Sequence, residues 1–194
     1  MAVYDPEMHK DGIGGTVLFT VYYDKNTPSA VQNKLIFSIK DRSLCKNFEF
    51  AAKELAALIW TEADFVCRDG AAHENSVIAW IPRRKRAIGI HGFDHMERLA
   101  KCLSEILEIE AVPIIVRLDG ASEQKQLNAK ERFNNAFASI TLSEDHDVLG
   151  KNVILIDDVI TSGASMKAAA RLLALAGARN IISVAIAKSD RPLD

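Results

Sequence analysis

The sequence predicts an α/β protein built on a parallel sheet flanked by helices, and three observations carry that prediction. Residues 77–81, 112–116, 153–156 and 181–187 are short runs that are apolar apart from Ser183. Segments with apolar residues at helical spacing alternate with them. Glycine and proline mark the boundaries, as at Pro82 and Gly177. A strand that is apolar on both faces must be covered on both faces, which is the situation in parallel sheets of alternating strand and helix.

Each element has its own signal. Residues 16–23 (TVLFTVYY) are β-rich and follow the turn-forming Gly12, Gly14 and Gly15, so they form the first strand. Thr27 then Pro28 is a helix start, and Val31, Leu35, Ile36 and Ile39 keep helical spacing up to Lys40. A second helix carries Phe48, Ala51, Ala52, Leu55, Leu58 and Ile59 and ends before Arg68, Asp69 and Gly70. Pro82 stops strand 77–81. Helix 93–107 turns Leu99, Leu103, Ile106 and Leu107 inward, and helix 165–176 is closed by Gly177. The polar stretch 118–135 (LDGASEQKQLNAKERFNN) reads as a mobile loop with some helix. Residues 1–70 are expected to form a small N-terminal hood of strand and helices, and 71–194 the ligand-binding core, in one compact unit.

Composition excludes several function classes. With 194 residues, 48% hydrophobic content, 26% charged residues and a net charge of −2, nothing draws the whole molecule toward nucleic acid or membrane. Cys45, Cys67 and Cys102 are odd in number and lack a C-x-x-C pair, so neither a disulfide framework nor a zinc ribbon is indicated. No apolar run has signal-peptide or membrane-span length, and a cytoplasmic location is the expectation.

Residues 153–165 read VILIDDVITSGAS: a buried strand, two adjacent carboxylates, a loop of hydroxyls and glycine, then a helix start. Open α/β sheets bind ligands at the carboxyl ends of their strands, where Asp157 and Asp158 emerge. Adjacent carboxylates there can accept hydrogen bonds from vicinal hydroxyls such as those of a ribose. Thr161, Ser162, Gly163, Ala164 and Ser165 offer backbone N–H groups and hydroxyls at a helix N-terminus, which suits a phosphate dianion. A metal or capping pair followed by an ordinary strand-to-helix turn is the plainer alternative.

These residues resemble the PRPP-binding motif of type I phosphoribosyltransferases (PRPP is 5-phosphoribosyl 1-pyrophosphate), with Thr161 and Ser162 where that family usually has two threonines. From about Tyr22 onward the chain is similar to the ComF-like branch, through Leu35, Ile36, Lys40, Pro82, Arg86, Gly92, Phe93, Gln124, Leu127, Arg132 and Asn135. It departs from the branch in His91, Asp94 and His95, which stand where Arg, Asn and Gln are usual, and in lacking an N-terminal zinc knuckle. The missing arginine removes a cation, and Asp94 places a negative charge beside the expected pyrophosphate path.

The resemblance implies that Asp157, Asp158, Arg86 and Arg132 are catalytic and that Val159, Ile160 and residues Thr161 to Ser165 form the 5′-phosphate loop. It also implies that Arg83, Arg84 and Lys85 belong to the pyrophosphate loop, and that Mg²⁺ is held by pyrophosphate with Asp157 and Asp158 as further candidate ligands. A solvated basic loop and a nucleic-acid footprint are the other readings of the run from Arg83 to Arg86. The resemblance puts Arg117, Lys125, Lys130 and Arg132 in or beside a loop that closes over PRPP, with a plain charged surface excursion as the equal alternative.

His91 and His95, four residues apart at a helix start, read as a surface pair rather than metal ligands, and Trp60 and Trp80 read as core. The expected activity is Mg-dependent transfer of a 5-phosphoribosyl group from PRPP to an unknown acceptor, with a nucleobase among the candidates. The rival is a weakly active or inactive accessory protein of DNA uptake, working with single-stranded DNA or a helicase-like partner. A homodimer is left open.

Overall fold

The protein is described by a computed structural model covering residues 2–4, 16–23, 36, 39, 45–62, 74–83, 88–89, 92–118 and 129–189. Along the chain the elements are β1 (Ala2–Tyr4), β2 (Thr16–Tyr23), α1 (Cys45–Glu62), β3 (Ser76–Trp80), α2 (His95–Leu107), β4 (Glu110–Ala111) and β5 (Ile115–Arg117). Then come α3 (Ala129–Ala138), β6 (Ile140–Leu142), β7 (Asn152–Ile160), α4 (Ala164–Leu175) and β8 (Asn180–Ser189). The main sheet runs β1-β2-β8-β7-β3-β4, with every neighbouring pair parallel except β1 on β2. β7 is therefore central, as its apolar run predicts.

The two-sided burial of that run is visible residue by residue. Ile154 and Ile156 join Ile78, Trp80, Val184 and Ile186 in a core beneath α1 and α2. Val153 and Leu155 point the other way, with Val77, Ala79 and Ala185, toward α4 and the β5–β6 ribbon. α4 buries Ala168, Ala169, Ala170 and Leu173, the three alanines being small enough to allow close approach. Gly177 closes this helix at φ 86, and a Cβ there would stand 2.6 Å from Leu149 Cδ1.

α2 follows its pattern closely. Met96, Leu99, Ala100, Leu103 and Leu107 are buried, while Glu97 and Lys101 form an exposed i,i+4 pair at 2.6 Å. Asp94 caps it, Oδ1 accepting from the Met96 N–H at 2.9 Å. Asp94→Ala is expected to cost about 1 kcal/mol of stability, read as a fall of ~2–4 °C in the thermal midpoint for a chain of this size.

At the amino ends of the central strands, side-chain amides bridge neighbours. Asn75 Nδ2 donates to the Gly150 carbonyl at 2.9 Å, Asn152 Nδ2 reaches Ser76 Oγ at 3.5 Å, and Asn180 Nδ2 donates to Asn152 Oδ1 at 2.7 Å. Asn152 is buried and stands opposite Ser76 on one side and Asn180 on the other.

Three expectations are corrected. The strand expected at 112–116 is two strands: β4 ends at Ala111, the Val112 N–H still donates to the Ile78 carbonyl at 2.9 Å, and the chain then leaves the sheet at Pro113. Proline has no N–H to continue a ladder, so β5 pairs antiparallel with β6 in a separate ribbon. β7 is longer than 153–156 and runs on to Ile160, with Val159 and Ile160 still paired to Ala187 and Lys188. Val159 and Ile160, expected in the phosphate loop, are thus the last two residues of this strand.

Trp60 is 47% exposed, at the edge of the α1 stripe whose centre is Leu55 and Ile59, whereas Trp80 is buried. Of the elements placed in the hood, β2 pairs with β8 in the main sheet and α1 packs into the main core. A boundary at residue 70 and most of helix 27–40 lie outside the described residues, although Ile36 and Ile39 are helical and buried.

Candidate functional site

β3 ends at Trp80, opposite Ile156 of β7, and the Ile81 N–H donates to the Ile156 carbonyl at 3.0 Å, while β7 runs on to Ile160. The segment leaving β3 therefore starts beside the last residues of β7, at one edge of the sheet. From β7 come Asp157 and Asp158, both half-buried, then Thr161 to Gly163 and the start of α4. From β3 come Pro82 and Arg83.

The two carboxylates are held by short-range backbone donors. The Asp158 N–H donates to Asp157 Oδ1 at 2.9 Å, and the Val159 N–H donates to Asp158 Oδ1 at 2.7 Å. Burial lifts the Asp157 carboxyl well above the ordinary carboxylate range, and the Asp158 charge pushes the same way. The Asp158 backbone N–H and then Arg117 pull it back, while a side-chain hydrogen bond with Asp158 adds to the rise. Asp157 keeps some accessible surface, but its carboxyl is surrounded densely enough for desolvation to dominate.

Gly163 precedes α4 at φ 71, and no side chain caps that helix. Gly163 has no side chain to accept from the first-turn N–H groups of α4, which lie at the amino end of the helix where an anion is favoured. A Cβ on Gly163 would meet only Ile160 and Lys167 at 3.9 Å, so glycine is required here by the backbone angle and not by space. Ala164 and Ser165 belong to the first turn of the helix, and the loop proper is Thr161, Ser162 and Gly163.

Arg83 is fixed from two directions. Its N–H donates to Asp94 Oδ2 at 3.0 Å, and Arg117 Nε donates to the preceding Pro82 carbonyl at 2.6 Å. Asp94 thus accepts from the Met96 and Arg83 backbones. Arg83 Nη1 is buried with no hydrogen-bond partner among the described residues, leaving an unsatisfied cationic donor at this edge. Arg84, Lys85, Arg86, His91, Gln124, Lys125 and Leu127 lie outside the described residues, and Arg132 is exposed on α3.

One residue that sequence reasoning misplaced stands at the centre. His95 is 2% exposed, and its Nε2 lies 3.0 Å from Asp158 Oδ2. Its burial was legible, since it precedes Leu99 by four residues and Leu103 by eight on the buried face of α2. The turn carrying it is anchored to α1 by Phe93 packed edge-on to Phe48, centroids 6.3 Å apart, with Arg98 over the same Phe48 ring at 4.8 Å.

Comparisons with known proteins place the chain in a family. Residues 97–193 match the model of the phosphoribosyl transferase domain. A ribose-phosphate pyrophosphokinase from Sulfurisphaera tokodaii is 28% identical over 180 residues, covering 83% of this chain and 57% of that protein. An orotate phosphoribosyltransferase from Nocardioides sp. is 33% identical over 85 residues, covering 44% of this chain and 46% of that one. The chain spans about half the length of these curated relatives. Among solved structures, an adenine phosphoribosyltransferase from Leishmania tarentolae is 12% identical with a TM-score of 0.47, covering 90% of this chain and 91% of that one. Asp157, Asp158 and the Gly163 turn fall within the matched residues, and the chain belongs to the phosphoribosyl transferase domain family.

Proposed function

We propose that this chain binds PRPP and transfers its 5-phosphoribosyl group to an acceptor, releasing pyrophosphate. The observation that carries the reading is the pair Asp157 and Asp158 near the carboxyl end of the central strand, followed after Ile160 by a short turn into the N-terminus of α4 at Gly163. A ribose 5-phosphate offers the matching groups: hydroxyl donors for the carboxylates, a dianion for the helix N–H groups.

In the reaction the bond from ribose C1 to the pyrophosphate oxygen breaks and a bond from C1 to the acceptor forms, through an oxocarbenium-like state. Catalysis then rests on holding and charge, with no side-chain nucleophile. Asp157 and Asp158 orient the ribose, Thr161, Ser162 and Gly163 with α4 anchor the 5′-phosphate, and Arg83 faces the anionic leaving group. Magnesium bound with PRPP would neutralise the pyrophosphate. Asp157 and Asp158 are the residues that would help hold that ion.

The finer assignments rest on the sequence resemblance. A ComF-like role, with single-stranded DNA or a helicase-like protein as partner, is supported by the run from Arg83 to Arg86, and a nucleobase acceptor by the name of the orotate phosphoribosyltransferase relative. A homodimer and a cytoplasmic location stand as proposals beside them. Among the described residues no helix is long and apolar enough to cross a membrane. The long alignment to a pyrophosphokinase favours a second reading, in which pyrophosphate is added to ribose 5-phosphate instead of displaced.

Calorimetric titration with PRPP and Mg²⁺, ribose 5-phosphate, and ribose 5-phosphate with a nucleoside triphosphate separates these readings. PRPP is expected to bind more tightly than ribose 5-phosphate, and formation of PRPP from the third mixture would favour the second reading. Arg86→Ala is expected to weaken PRPP about tenfold or more, the cost of one charge-assisted contact, and to leave ribose 5-phosphate nearly unchanged. Equal losses for both ligands would remove Arg86 from the pyrophosphate role.

A further inference from the structure

Asp158 is held on both oxygens, Oδ1 by the Val159 N–H at 2.7 Å and Oδ2 by His95 Nε2 at 3.0 Å. The first partner is its own backbone neighbour and comes with the strand. The second is a side chain 63 residues away, delivered by the first turn of α2. A carboxylate accepts, so the hydrogen sits on Nε2, and Nδ1 is left as a buried atom with no partner among the described residues.

That arrangement is poor as mere packing. An apolar side chain on the stripe of Leu99 and Leu103 would fill the same position without burying an unsatisfied ring nitrogen. α2 needs no such tether, because Met96, Leu99, Ala100, Leu103 and Leu107 already bury its inner face. What the imidazole supplies that packing cannot is a donor that fixes the carboxylate plane. Asp158 remains 18% exposed, so it is oriented from behind while part of it still faces solvent.

We propose that His95 is the positioning residue for Asp158, setting the angle at which this carboxylate meets the ribose hydroxyls, so that preference for ribose over 2-deoxyribose is transmitted through α2. This rests on the ribose-binding reading above. Acceptors displaced by a fraction of an ångström lose much of their ability to select a hydroxyl pattern, which is why a supporting donor matters.

The test uses the full chain with His95→Gln, which keeps an N–H near the Nε2 position, and His95→Asn, which moves it to the Nδ1 position. Titrations compare ribose 5-phosphate with 2-deoxyribose 5-phosphate. His95→Asn is expected to lower the ribose preference about tenfold, and His95→Gln to restore most of it. A folded His95→Asn protein with the wild-type preference overturns the proposal.

Should the variants fail to fold, long-range ¹H–¹⁵N spectra of the wild-type histidines decide. The Nε2–H tautomer of His95, with a resonance that shifts on ribose 5-phosphate and less on the deoxy sugar, supports the assignment, and the Nδ1–H tautomer or an equal response overturns it. A wild-type chain that binds neither PRPP nor ribose 5-phosphate ends the parent reading as well, whereas wild-type binding with unchanged selectivity in His95→Asn ends this one alone.

Discussion

Replacing Asp157 and Asp158 together by asparagine is expected to leave a folded protein whose affinity for PRPP falls at least about a hundredfold, two charge-assisted contacts at ~1.5–3 kcal/mol each. Isothermal titration of wild type and variant with PRPP and Mg²⁺ checks it, and unchanged binding would rule out the ribose assignment. The same substitution at Asp157 alone has a second consequence. Burial raises this carboxyl in the folded state above its unfolded value, so the folded protein binds the proton more tightly. The associated stability is fully present below the unfolded pKa and is lost as pH rises through the folded one.

Asp157→Asn, which cannot ionise, escapes that loss. Its thermal midpoint should exceed that of wild type at neutral and alkaline pH, by ~2–4 °C for each kcal/mol recovered in a chain of this size, and the gain should fade toward pH 4. A variant that binds less and melts higher is the signature of a side chain kept for function at the expense of stability. A lower midpoint for Asp157→Asn across the whole pH range would show that its hydrogen bonds outweigh its desolvation.

Gly163→Val is the second large effect. The residue stands at φ 71, where a β-branched side chain is strained whatever the surroundings, and the space for a Cβ is ordinary. The expected loss is about 1–3 kcal/mol of stability, with the turn drawn away from α4. Because the turn serves the phosphate common to both ligands, PRPP and ribose 5-phosphate should weaken by the same factor, on the order of tenfold or more for a displaced anion site. Gly163→Asn, whose side chain tolerates the left-handed region, should lose less on both measures. Selective weakening of PRPP alone would move the 5′-phosphate site elsewhere.

The parts of the site that were legible are those contiguous in the chain. Strand, acidic pair, turn and helix follow one another from Val153 to Ser165, so spacing alone places them together. The contact between His95 and Asp158 spans 63 positions and depends on how α2 docks on β7, which no local pattern states. The stripe through Leu99 and Leu103 could still have put His95 inside. Pro113 likewise carried its own warning, since a residue without an N–H cannot sit within a continued ladder. The length of β7 was hidden for a different reason: Asp157 and Asp158 look like a strand's end by polarity, yet the backbone pairing to β8 continues past them.

The amide bridges at the amino ends of β3, β7 and β8 act as a height gauge for the opposite edge. A slip of one residue in β7 would exchange the faces of Leu155 and Ile156 and carry both acids out of place. Buried Asn152, engaged by Asn180 and reaching Ser76, penalises that slip at the end farthest from the ligand. Levels along the sheet are therefore set from below, and loops at the upper rim can change in length or chemistry without altering where Asp157 and Asp158 stand. Altered acceptor specificity would accordingly be sought in the rim, with the asparagines left untouched.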